Sequence, residues 1–99
     1  MQMEPPRAAL ERLIRITQSD TGQSSRVANF LLAWWNAESC GGFDLTDLWN
    51  VDRAIAEDML SVMGLIASKA SYPDTYGYRT EFDRMVADWR PNLLKAAAS

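Results

Sequence analysis

The stretch from Val27 to Ala37 contains no charged side chain and is apolar on nearly every side. Wound into a helix, Val27, Ala28, Phe30, Leu31, Leu32, Ala33, Trp34, Trp35 and Ala37 leave no face for water. A helix of that kind is stable only when other protein or lipid surrounds it. The run is about half the length a bilayer-spanning helix requires, so the rest of the chain has to wrap it. That requirement points to a helical bundle built around one central helix of about 24–39. Ser24 or Ser25 is placed to cap its start. Cys40-Gly41-Gly42 stops it, glycine supplying the left-handed cap that other residues resist.

The flanking segments repeat with helical period. Pro5 and Pro6 open a first helix of about 6–19, where proline's missing amide costs nothing. Leu10, Leu13, Ile14 and Thr17 form its inner face, and Ser19-Asp20-Thr21-Gly22 ends it. Asp44 opens a short helix of about 44–49 with Leu45, Leu48 and Trp49 facing inward. Asn50 reads as the cap of a third long helix, about 51–69, with Asp52 complementing its dipole. Its inner face is Ile55, Met59, Val62, Met63 and Ile66. Gly64 costs that helix roughly 1 kcal/mol against alanine, which suggests that another helix comes close there. Ser71 to Tyr78 reads as a loop, turning at Pro73-Asp74 and needing a positive φ at Gly77. A last helix of about 78–90 carries Phe82, Met85, Val86 and Trp89, and Pro91 closes it. No segment alternates with period two. The expected fold is all-α: one domain over residues 1–99, a compact bundle of four main helices plus one short helix, with 1–5 and 92–99 loosely ordered.

Composition then narrows the chemistry. Ninety-nine residues suit a single core, and 47% hydrophobic residues suffice to fill it. The absence of histidine removes the commonest general base and metal ligand together. Cys40, alone in the chain, excludes a disulfide framework and a cysteine metal cluster. Met1 to Arg7 lacks the basic and then apolar order of a signal peptide, so the expected compartment is the cytoplasm, without membrane insertion. The formal charge is −3. It is unevenly spread: residues 1–29 hold four arginines against three acids, and residues 30–99 hold six basic against ten acidic groups.

Few residue groups suggest catalysis. Asp44, Asp47, Asp52, Glu57 and Asp58 form the densest acidic stretch, but apolar residues interrupt the alternate spacing that a calcium loop needs. Acids at helix starts are what the macrodipole favours. Cys40 has no histidine partner and sits at a helix C-terminus, where the dipole disfavours a thiolate. Ser24-Ser25-Arg26 has no base spaced to activate a hydroxyl. The glycines match neither a P-loop nor a dinucleotide fingerprint. No cofactor, no metal and no catalytic residue is expected; a carboxylate-based enzyme would need acids from separate helices to meet in one cleft.

Aromatic residues are more informative. Trp34 and Trp35 point about 100° apart on a helix, which suggests different neighbours for the two. Trp35, Trp49, Tyr72, Tyr76 and Tyr78 are the candidates for a surface that binds a protein partner or a second copy, since such rings dominate interface energetics. The alternative is a nucleic-acid contact through Arg7, Arg12, Arg15 and Arg26. It is less favoured because the third helix carries Asp52, Glu57 and Asp58 where a recognition helix is cationic.

Several phrases also occur together elsewhere: Asp20-Thr-Gly-Gln-Ser24 leading to Val27-Ala-Asn-Phe-Leu-Leu-Ala-Trp-Trp-Asn-Ala37, Gly41-Gly-Phe-Asp-Leu-Thr-Asp-Leu-Trp49, Ser71-Tyr-Pro-Asp-Thr75 and Ala-Asp-Trp-Arg-Pro91. With these the chain resembles a family of small uncharacterised proteins of proteobacterial plasmids and integrative conjugative elements, over about residues 8–91. The resemblance implies a mobile-element accessory protein and carries no activity or site residue with it. The expected function is therefore a non-enzymatic protein-binding or regulatory module, a homodimer or an inhibitor of host machinery.

Overall fold

Four α-helices and two 3-10 helices account for the regular structure of the computed structural model, which describes residues 6–93. Helix α1 is Pro6–Ile16, α2 Gly22–Cys40, α3 Arg53–Ser68 and α4 Arg79–Trp89; the 3-10 helices are Leu45–Asn50 and Pro73–Tyr76. No strand occurs among the described residues, and the all-α expectation holds. Of the ends expected to be loose, 1–5 and 92–99, residues 1–5 and 94–99 lie outside the described residues, whereas 91–93 form a further helical turn whose Leu93 packs half-buried against the core.

Helix α1 buries Ala9, Leu10, Leu13 and Ile14 in one stripe, which packs mainly on α3 and less extensively on α2. It stops three residues before the expected end at 19. Its last turn tightens, with Thr17 N donating to Ile14 O at 3.2 Å and Gln18 N to Arg15 O at 3.1 Å. The Thr17 hydroxyl also donates to Ile14 O at 2.6 Å, so a buried polar side chain is satisfied within its own turn.

Helix α2 packs on both α1 and α4 and carries the most buried residues of any helix, but only its first half is enclosed: Ala33, Trp34 and Trp35 are half-buried and Asn36 and Ala37 exposed. Val27, Ala28, Phe30, Leu31 and Leu32 are buried. Its cap is Thr21 rather than Ser24 or Ser25. Thr21 Oγ1 accepts from Ser24 N at 3.1 Å and pairs with Ser24 Oγ at 2.8 Å, and Ser24 is thereby buried one turn inside. Near its other end Asn36 leaves helical geometry, with φ −166° and ψ 88°. Asn36 Oδ1 then accepts from Ser39 N at 3.1 Å, acting as a new cap for the final turn. That kink buries Cys40, and Gly41 closes the turn at φ +95°. Arg90 fastens the same turn to the end of α4: Nε donates to Cys40 O at 2.9 Å and Nη2 to Asn29 Oδ1 at 2.6 Å.

The start of α3 departs from expectation. Asp52 occupies the cap position and Asn50 belongs to the preceding 3-10 helix. In place of a side-chain cap from its own segment, Gln23 Oε1 accepts from Asp52 N at 2.6 Å, tying the start of α3 to that of α2. Met59 and Val62 are buried, and Ile55, Met63 and Ile66 pack half-buried around the core. Gly64 marks no close approach: it is exposed, and a Cβ there meets nothing within 4 Å.

The segment expected as a plain loop contains the second 3-10 helix. Pro73 is buried at its start and Gly77 ends it at φ +88°, as the sequence requires. Phe82 and Met85 then carry α4 into the core against α2.

Candidate functional site

Trp34 and Trp35 do not part company. Both pack on the Phe82 ring, Trp34 at 6.2 Å between centroids and nearly perpendicular, Trp35 at 5.5 Å and tilted. The expectation of different neighbours fails because the divergence holds at Cα, whereas an indole reaches far enough to converge on a large ring lying between the two directions. Each remains half-buried, so neither is simply core or surface. Trp34 Nε1 donates to Ser71 O at 3.1 Å, and Tyr76 lies against the same indole at 6.3 Å.

The two indoles wall an open groove of about 700 Å³ where α2 kinks beside the second 3-10 helix. Trp34, Trp35, Asn36, Glu38, Tyr72 and Asp74 line it. A smaller hollow of about 250 Å³ adjoins it, sharing Trp34 and Tyr72 and continuing over Ile66, Ala70 and Lys69. Trp34 and Trp35, both half-buried and both packed on Phe82, couple the groove to the core.

The other aromatic candidates divide. Trp49 is 82% exposed and its neighbour Leu45 is 67% exposed, so the expected inward packing of the short helix fails for both. Only Leu48 of that trio packs against the core. In a 3-10 helix of three residues per turn, Trp49 points about 120° away from Leu48 and cannot follow it. Asp44 Oδ1 holds the start of this helix by accepting from Thr46 N at 2.9 Å and Thr46 Oγ1 at 2.7 Å, which keeps its carboxyl below the usual range. Tyr72 is 62% exposed and Tyr76 is half-buried.

Tyr78 is the correction among them. It is 6% exposed, its hydroxyl accepting from Arg7 Nε at 2.9 Å and donating to Glu11 Oε2 at 2.9 Å. Burial raises its pKa. The ring is a clamp between α1 and α4, out of reach of a partner.

Three of the four candidate arginines, Arg7, Arg12 and Arg26, meet internal partners. Arg7 also donates through Nη2 to Tyr76 O at 2.9 Å, and its guanidinium lies 5.3 Å from the Tyr78 ring centre. Arg12 forms two hydrogen bonds to Asp58, at 2.9 and 2.7 Å. Arg26 lies 3.8 Å from Asp47 and reaches Asn50 O at 3.4 Å. Arg15 lines an open groove of about 650 Å³ between α1 and α3 with Arg12, Ile55, Glu57 and Asp58. The acids of the dense stretch are thus distributed among structural roles, with Glu57 pairing to Arg53 at 3.3 Å and Asp52 accepting from Gln23 Nε2 at 3.3 Å. Among the described residues, no group of three or more acidic or cysteine side chains is placed to hold a metal ion. No described helix is long and apolar enough to cross a membrane. Cys40 is buried, and that burial raises its pKa, with Arg90 opposing the shift.

The site and fold define a small all-α protein with aromatic side chains shared between its core and its surface. The chain belongs to a family of unknown function, DUF7673, which it matches over residues 7–90. No curated protein and no solved structure matches it.

Proposed function

We propose that the chain is a non-enzymatic, cytoplasmic protein-binding module of a mobile genetic element, acting on a host or element protein by contact. The observation that carries the binding role is the exposure of Trp49 and Leu45 on one short 3-10 helix, with Tyr72 exposed elsewhere on the surface. A side chain as large as tryptophan left in water loses the burial that normally rewards it, and such rings are the usual anchors of protein interfaces. A protein partner is favoured over nucleic acid because Arg7 and Arg12 on α1 and Arg26 on α2 are committed to internal acceptors, which leaves Arg15 as the remaining candidate phosphate contact. The mobile-element setting follows from the resemblance of the Val27–Ala37, Gly41–Trp49 and Ser71–Thr75 phrases alone.

The test uses the intact chain as bait against extract of its own host, beside a Trp49→Ser, Leu45→Ser double variant. These side chains contribute little to the core, so the variant keeps its helical circular dichroism and melting temperature. Specific retention of a protein by the parent chain, lost in the variant, supports the role; identical retention by both, or none by either with a monomeric chain in light scattering, overturns it.

A further inference from the structure

We infer that the groove at the kink of α2 receives an arginine side chain from an extended segment of a partner protein, with an apolar residue of that segment in the adjoining hollow. This deepens the protein-binding reading above and rests on it. The groove joins two features that recognise a guanidinium. Its walls include Trp34, Trp35 and Tyr72, and a planar cation stacks favourably on such rings. Its rim includes Glu38 and Asp74, neither of which has a cationic partner among the described residues, while Arg53, Arg79 and Arg84 pair with acids on their own helices. Two uncompensated carboxylates beside half-buried indoles make the groove complementary to a cation, and stacked guanidinium with a carboxylate acceptor is the pairing in which arginine surpasses lysine.

The adjoining hollow fixes the second position. It shares Trp34 and Tyr72 with the groove, but beyond them it runs over Ile66 and Ala70 to Lys69. Lys69 repels a second cation there, and the apolar surface accepts a leucine-like side chain. The kink at Asn36 is what brings Glu38 round to the groove, since Asn36 breaks the helix two residues earlier and recaps the turn that carries it.

The test is fluorescence anisotropy on the full chain with a fluorescein-labelled peptide of alternating arginine and leucine, and a counterpart with glutamate for arginine. Glu38→Gln with Asp74→Asn is the informative variant, because both side chains are solvent-facing and hold nothing in the fold; Glu57→Gln, in the α1–α3 groove, is the control. The arginine peptide should bind the parent chain and the control alike and weaken with salt, and the double variant should lose at least about tenfold in affinity. Absence of binding, equal binding of the glutamate peptide, or an unchanged affinity in the double variant overturns the proposal. If the peptide fails while Trp49-dependent capture of a host protein persists, the groove assignment alone falls; if both fail, the protein-binding reading falls with it.

Discussion

Arg12 on α1 and Asp58 on α3 face each other in a two-bond ion pair, Nε to Oδ2 at 2.9 Å and Nη2 to Oδ1 at 2.7 Å. The Asp58 side chain is only 15% exposed, so water competes poorly for its oxygens. A forked guanidinium–carboxylate pair in that setting is stronger than an exposed contact between the same groups. It joins the two helices whose mutual packing is the most extensive in the fold. Asp58→Ala should lower unfolding stability by about 1–2 kcal/mol, because it removes both charge-assisted bonds and the contact they make between α1 and α3. Urea melts of the parent and variant measure this; an unchanged midpoint would show that the pair contributes nothing.

Tyr78 links α4 to Arg7 and Glu11 through one buried hydroxyl. Tyr78→Phe leaves the ring packing in place and removes both bonds, at a cost of about 1–2 kcal/mol. The pH dependence has a definite sign. Burial first, then the bond given to Glu11, raises the phenol above its ordinary value of 10.0, while Arg7 pulls it down. The folded state therefore favours the protonated ring. That contribution is complete below the ordinary value and disappears as pH rises through the raised one. The parent should lose stability on the alkaline side more steeply than Tyr78→Phe, and parallel alkaline limbs in thermal melts would refute this.

Two glycines should respond in opposite directions. Gly41 sits at φ +95°, a conformation that side chains resist, so Gly41→Ala should cost about 1–2 kcal/mol despite the open space around it. Gly64 lies within α3 with nothing near its missing Cβ. Gly64→Ala should therefore raise stability by about 0.5–1 kcal/mol through helix propensity. Melting temperatures displaced in the same direction would contradict the pair of assignments.

Cys40 should behave as an inert thiol. It is buried at the kinked end of α2, and desolvation raises its pKa above the ordinary 9.0 against the weaker pull of Arg90. Labelling by a disulfide reagent near about pH 8 should run at least about tenfold slower than for a free thiol, and full reactivity should return in denaturant. Rapid labelling of the folded chain would mean the turn opens readily.

Much of the fold was legible because its signals are local. The apolar stripe of α1, the glycine stops at Gly41 and Gly77 and the inward set of α4 each follow from spacing within a turn or two. The errors share a cause as well. Thr21 displaced Ser24 as a cap because Ser24 had a place in the core, and Asp52 displaced Asn50 because Gln23, far off in the chain, supplied the acceptor. Trp49 and Leu45 went outward because no second element covers so short a helix. The aromatic composition of the candidate surface was visible in the sequence; the acidic rim of Glu38 and Asp74 was not, since nothing short of the α2 kink places those two residues on one groove.

By itself, then, the order of residues determined that this chain is a helical bundle whose core includes Val27–Leu32, because helix period, capping and glycine stops act over a few neighbouring positions. Only the tertiary structure decided which charges and rings remain for a partner. Arg7 meets Tyr78 across 71 residues, Arg12 meets Asp58 across 46 and Arg90 meets Asn29 across 61. Pairings at such range depend on how helices dock, and docking is set by the summed burial of many side chains rather than by any local rule.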